Sequence, residues 1–218
     1  MDRIILCALA LLVLAVGGWT LPKELEFGAS GLTSVQRLAQ KPVELPIPGL
    51  SLHTRQQALM DCAYTVQRLG SLEMRYQTDA FRSDLPDRCH KLALAAVSTM
   101  PTYSYGWLVA AMSAAASADW ADMNDHLYRS QLTGRESQWI AEIRVTLAES
   151  HRAKLDERTR IGNDRDLQLL VRSQRGVGTI ARRYISDPAF RDRITAIVEA
   201  MPDDVQRRFV GSLRYLTR

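Results

Sequence analysis

The chain has 218 residues, a formal net charge of +4 and 46% hydrophobic residues. A chain of this size and balance can bury an ordinary core, which excludes a disordered polyelectrolyte, a collagen-like repeat and a disulfide-dense miniprotein. Of its 28 basic residues 24 are arginine and 4 lysine, a bias that points to GC-rich coding as readily as to a binding surface.

The chain opens with Met1-Asp2-Arg3 and then an apolar run from Ile4 to Trp19 with no charged side chain. A single-pass helix needs about 17–25 apolar residues, which Ile4 to Leu21 just supplies. Arg3, the apolar run and the small-x-small site Ala15-Val16-Gly17 equally suit a cleavable signal peptide. Residues 1–21 are therefore read as a transmembrane anchor or a signal peptide. Trp19, an interface residue type, favours retention. Arg3 before the run places the N-terminus in the cytoplasm and the body outside it. The expected location is a bacterial inner membrane, single pass, with the body in the periplasm. The alternative is a secreted or periplasmic protein after cleavage.

Residues 22–51 read as an extracytoplasmic linker. Pro22, Pro42, Pro46 and Pro48 fall here with Gly28, Gly31 and Gly49, and prolines push their predecessors away from helix. Ser34 to Gln40 fits one short helical stretch.

From residue 52 to 218 the pattern is helical. Thr54 can cap a helix carrying Ala58, Leu59, Cys62, Ala63, Val66 and Leu69 on one face, with Gly70 ending it. Leu72 to Phe81 is irregular or a short helix. Pro86 suits a first helical position before Cys89, Leu92, Ala93 and Ala96. After Pro101 come a small-residue helix over 103–118, a helix from Asp119-Trp120 to Leu132, and a third over 136–151. Further helices are expected near 166–173, 176–185, 188–200 and 202–216. The fold class is thus all-α: an N-terminal membrane helix followed by antiparallel helical hairpins joined by short linkers, either an α-solenoid of repeats or an irregular bundle.

Trp107-Leu108 and Trp139-Ile140 recur at a spacing of 32, followed at the same offset by Ala111 and Ile143. This pattern, with Pro101 at its boundary, resembles a degenerate tetratricopeptide unit over about 101–151. It lacks the Gly-x-x-Tyr of the first helix and the proline after the second. The same segment, with Gly134-Arg135-Glu136-Ser137-Gln138-Trp139-Ile140 and then Arg144, is similar to small membrane-anchored envelope proteins of bacterial polysaccharide assembly. That resemblance implies a supporting role in the envelope with no assigned catalytic residue.

Cys62 and Cys89 are the only cysteines of the body, and in an oxidising compartment such a pair is a disulfide candidate. The alternative is two buried thiols. Cys7, in the leader, reads as a small apolar residue. Tyr103, Trp107, Trp120, Tyr128 and Trp139 are candidates for lining a binding groove, with core packing as the alternative. Residues 151–218 carry 14 arginines and one lysine against 9 acidic residues. Acidic polysaccharide, anionic lipid or nucleic acid would suit this excess, and so would a solvated set of helix faces. Export makes nucleic acid the least favoured of these.

Ala148-Glu149-Ser150 resembles the Glu-Ser pair of lytic transglycosylases, without that family's downstream Gly-Leu-Met-Gln segment. Asp122 and His126 share a helix face but lack a third ligand at matching spacing. Gly176-Val177-Gly178 lacks the preceding strand of a dinucleotide loop. No catalytic, cofactor or metal residue is assigned. The expectation is an envelope interaction or assembly module with an envelope protein, the inner membrane and acidic polysaccharide as partners. The alternative is an envelope glycan hydrolase or lytic transglycosylase with an unrecognised site.

Overall fold

The computed structural model describes residues 2–28, 31–40 and 51–217. It is all-helical, with twelve α-helices and no strand among the described residues. The chain divides into two compact units, 1–100 and 101–218, so the boundary falls at Pro101 within the helical region.

The first unit begins with α1 (Asp2–Gly28). Its residues 5–21 are apolar and exposed, Thr20 being partly covered and its hydroxyl donating to the Val16 carbonyl at 3.0 Å. Among the described residues no helix is long and apolar enough to cross a membrane. The expected membrane helix is therefore not found among the described residues. The helix also runs on past Leu21 into Lys23, Glu24 and Glu26. The linker is shortened in turn, because Glu24, Leu25 and Glu26 are good helix formers. The proline-rich segment 41–49 lies outside the described residues.

Helix α2 (Ser34–Gln40) is too short to persist alone. Val35 and Leu38 are buried, and Arg37 reaches Asp61 of α3 (Leu52–Val66) through Nε at 2.6 Å and Nη2 at 2.5 Å. Ser34 Oγ donates to the same carboxylate at 2.7 Å. Asp61 is 1% exposed, so this pair clamps α2 onto α3. The N-cap of α3 is Ser51, whose side chain accepts from the Thr54 amide. After α4 (Leu72–Arg75), Thr78 caps α5 (Asp79–Thr99) by accepting from the Phe81 amide. Pro86 therefore sits inside α5 and not at its start. An interior proline loses one helical hydrogen bond; here the Thr78 cap and the burial of Leu85, Pro86 and Cys89 carry the helix through it.

The second unit holds α6 (Ser104–Ala116), α7 (Trp120–Thr133), α8 (Gln138–Ser150), α9 (Glu157–Arg172), α10 (Gly176–Ser186), α11 (Pro188–Glu199) and α12 (Asp203–Leu216). Helix α6 packs on α7, α8 on α9, and α9 and α12 on α10. Leu167, Leu170, Val171, Ile180, Phe190, Ile194 and Phe209 form a continuous core across α9 to α12. The sequence places α9 too late: Asp156 caps it by accepting from the Thr159 amide at 2.8 Å, almost three turns before the expected start. Charged residues at 157–166 hide the apolar stripe there.

Arg144 of α8 is fully buried. Its Nε and Nη2 donate to Asp166 of α9 at 2.7 and 2.6 Å. Nη1 donates to Ser104 Oγ at 3.3 Å and the Ser130 carbonyl at 3.1 Å, and Nη2 also reaches the Gly134 carbonyl at 3.2 Å. Arginine offers five N–H donors, and these five contacts join α6, α7, α8 and α9. A β-carbon on Gly134 would lie 2.3 Å from Ser104 Oγ, so only glycine lets the α7 terminus approach the cluster. The α6–α7 turn uses Ala118 at φ 57°, in the left-handed region.

Replacing Asp166 with Asn strands a buried guanidinium and lowers unfolding stability by about 3–5 kcal/mol in urea titration, whereas Arg144→Met with Asp166→Leu recovers much of that loss. Ala118→Gly relieves the left-handed backbone and raises stability by about 1 kcal/mol in the same assay.

Candidate functional site

In the first unit Cys62 of α3 and Cys89 of α5 form a disulfide with Cα atoms 5.5 Å apart. Both residues are fully buried beside Leu59, Leu85 and Leu92. The bond closes a long loop and ties α3 to α5. In the chain-entropy account such a cross-link removes freedom mainly from the unfolded chain.

The aromatic candidates lie in the second unit, each packed against a ring or cation. Trp107 donates through Nε1 to the Pro101 carbonyl at 2.8 Å. Its ring stacks on His126 at 5.6 Å and carries the Arg129 guanidinium at 4.9 Å. Trp120 meets His151 at 5.3 Å and the Lys154 ammonium at 5.6 Å. Trp139 is 47% exposed and lies 5.0 Å from the Tyr105 ring. Tyr103 sits edge-on to Tyr105 at 6.4 Å, and its hydroxyl is buried with no hydrogen-bond partner among the described residues. Burial pushes its phenol up to about 12.

Tyr128 alone of the five enters a cleft, of about 490 Å³, between α7, the α7–α8 connection and α9. Arg135, Arg158, Arg165 and Arg172 line it, with Glu136 and Asp166 as the only acids. Three of the arginines sit on α9 at seven-residue intervals, about 10.5 Å apart along the helix axis. Arg158 packs over the Tyr128 ring at 4.8 Å and pairs with Asp156 at 3.2 Å. Arg135, Arg165 and Arg172 make no ion pair among the described residues and are exposed. The wall depends on Gly162, where a β-carbon would lie 2.0 Å from Gln131 Oε1. Gln131 is buried there and donates through Nε2 to the Thr159 carbonyl at 3.2 Å.

Asp166 does not cancel the cleft's positive charge, because Arg144 neutralises it from behind. Burial pushes its carboxyl above the usual carboxylate range, against the lowering pull of the Arg144 hydrogen bonds and charge. Desolvation therefore outweighs attraction, the common balance for a buried pair. Above its ordinary value the unfolded chain releases this proton before the folded one does, so its contribution to stability falls as pH rises through that window.

Glu149, the counterpart of a transglycosylase acid, faces elsewhere. Its Oε1 accepts from Asn163 Nδ2 at 2.5 Å and its Oε2 pairs with Arg193. It bridges α8, α9 and α11 as a structural anion. Gly176 and Gly178 lie in the first turn of α10, after a helix and a turn, and Ser173 Oγ accepts from the Gly176 amide at 2.7 Å. Spacing signals for the cleft were present in Arg158, Arg165, Arg172 and Gly162, but they emerge only once residues 157–172 are recognised as a single helix.

The site so defined is a basic cleft in a helical unit. Family models, curated proteins and solved structures were all compared with the chain, and none matches it.

Reduction of the disulfide lowers unfolding stability by about 2–4 kcal/mol, read as the shift in the urea midpoint with and without reductant. Tyr103→Phe abolishes the ionisation near pH 12 in an ultraviolet titration. In the parent protein the Tyr103 contribution to stability falls as pH rises from about 10, the ordinary phenol value, toward about 12.

Proposed function

We propose that the chain is a non-catalytic interaction or assembly module of a bacterial envelope, its helical body lying in an oxidising space outside the cytoplasm. The cleft carries this reading: a built, arginine-lined recess on rigid helices recognises an acidic ligand or partner surface. The buried disulfide supports the oxidising location, since cytosolic thiols are kept reduced.

The exposed apolar surface of α1 supports an export or anchoring segment. Ile5, Leu6, Leu9, Leu11, Leu12, Val13 and Leu14 are each more than half exposed, and such a surface is stable only against lipid or another apolar body. Retained or cleaved, the segment delivers the same helical body. The tetratricopeptide-like reading of 101–151 is supported by the tight pairing of α6 with α7 and by α8 following with its tryptophan at the repeat offset. The alternative, a glycan hydrolase or lytic transglycosylase with an unrecognised site, finds no support at Glu149, both of whose oxygens are engaged.

Expressed as the full chain in a bacterial host, the protein is expected to show Cys62 and Cys89 protected from alkylation until reductant is added. A phosphatase fused to its C-terminus is expected to be active. In-cell cross-linking from Leu132→Cys, an exposed position on the cleft wall, with a bifunctional reagent is expected to capture an envelope component. An inactive fusion with freely alkylated thiols would overturn the location, and turnover of peptidoglycan or polysaccharide by the purified chain would overturn the non-catalytic role.

A further inference from the structure

We propose that the arginine cleft binds a linear, carboxylate-bearing saccharide laid along α9; this names the ligand class of the interaction module proposed above and rests on that reading. The periodicity of the charges comes first. Arg158, Arg165 and Arg172 recur every seven residues, which in an α-helix places their Cα atoms about 10.5 Å apart along the axis with a drift of only about 20° per step. A ligand matched to this row carries anionic groups at a regular interval of that order in an extended chain. An extended uronic-acid chain, whose alternate rings turn their carboxylates to the same side, has such an interval. A single phosphate or small dicarboxylate engages one or two of these groups and leaves the others unused.

The chemistry between the charges is the second observation. Gln168 and Glu136 lie among the arginines and Tyr128 at one wall. Amide, carboxylate and phenol groups suit hydroxyl-rich rings, which need donors and acceptors between their acidic substituents. An acidic peptide fits less well. The walls are helices whose backbone groups are internally bonded, so no sheet edge is present to pair with a peptide backbone. Leu132 and Leu169 are the only aliphatic side chains in the lining, which leaves little to hold apolar peptide side chains.

The third is how the charges are held. Arg135, Arg165 and Arg172 have no acidic partner among the described residues, and the one buried acid at the cleft is neutralised by Arg144. Arg158 lies on the face of Tyr128 and pairs with Asp156 at the rim, so its guanidinium is oriented before any ligand arrives and Arg165, Arg172 and Arg135 carry the unpaired charge. The planar, two-pronged geometry of arginine matches a carboxylate with two parallel hydrogen bonds. Such a site binds with steep salt dependence and little rearrangement.

The test uses the full chain and oligogalacturonate as the probe, followed by calorimetry at low and moderate salt. Neutral cello-oligosaccharide, polyglutamate and vesicles of anionic phospholipid serve as comparisons. Arg165→Gln with Arg172→Gln removes two cleft charges from exposed positions, and Arg175→Gln with Arg182→Gln removes two outside it. Circular dichroism and the urea midpoint confirm that both variants fold. Oligogalacturonate is expected to bind the parent chain and the outside-charge variant alike, to weaken by about tenfold or more in the cleft variant, and to lose affinity with salt. The neutral oligosaccharide is expected not to bind.

Equal loss in both variants, or equal binding of neutral and acidic saccharides, overturns the proposal. Binding of polyglutamate or of vesicles through the same arginines, without the saccharide, overturns the saccharide assignment and leaves the interaction module standing. Absence of binding to every probe together with absence of a cross-linked envelope component in cells overturns both.

Discussion

A guanidinium with no access to solvent must find a partner for every N–H it carries, and Arg144 meets that demand by drawing four helices to one point. Ser104 comes from α6, Ser130 and Gly134 from the body and end of α7, and Asp166 from α9. Each contact fixes a distance that a purely apolar contact would leave adjustable. Taking both charges out of water is costly, so the pair's contribution lies in selecting one arrangement of α6–α9 over near alternatives. The glycine at 134 and the left-handed turn at Ala118 are accommodations to that arrangement.

The first unit uses the same device at its edge. Arg37 and Asp61 hold a seven-residue helix that could not stand alone, and Asp61 holds Arg37 more firmly protonated than usual, the pull of its hydrogen bond exceeding the cost of desolvation. The disulfide then ties α3 to α5, where apolar contact is limited to small and medium side chains such as Ala58, Leu59 and Ala93. Arg37 remains partly exposed while Arg144 does not. Burial depth thus separates a clamp that adds stability from one that chiefly specifies geometry.

The helical class was plain in the sequence because 3.6-residue periodicity, serine and aspartate caps, and prolines at helix starts agree over most of the chain. Helix α2 and helices α10 to α12 lie close to the expected positions for this reason. Three features were hidden by competing physics. Pro86 looks like a start signal, yet the Thr78 cap upstream already fixes the helix. Residues 157–166 of α9 are mostly charged or polar, among them Arg158 and Arg165 at the cleft and Asp166 at Arg144, so this stretch lacks the apolar stripe that marks a helix. Residues 22–28 carry a proline that suggests a linker, but strong helix formers follow it.

The disulfide pairing was visible from two body cysteines and an apolar leader. The aromatic residues were visible as a set, but their partners were not: His126, Arg129, His151, Lys154 and Arg158 are close in space only after folding. The cleft was the least legible part, because its charges come from one helix face and from a loop a full helix away in sequence.

The hub at Arg144 also bears on how the second unit moves. Because its hydrogen bonds are shared among four helices, none of α6, α7, α8 or α9 can lift away without stranding a charge or a buried carbonyl. These helices therefore open together, as one foldon with one protection factor in hydrogen exchange, rather than fraying one by one. A ligand gripping α9 would then slow exchange at amides as distant as those of α6, with no change of shape required.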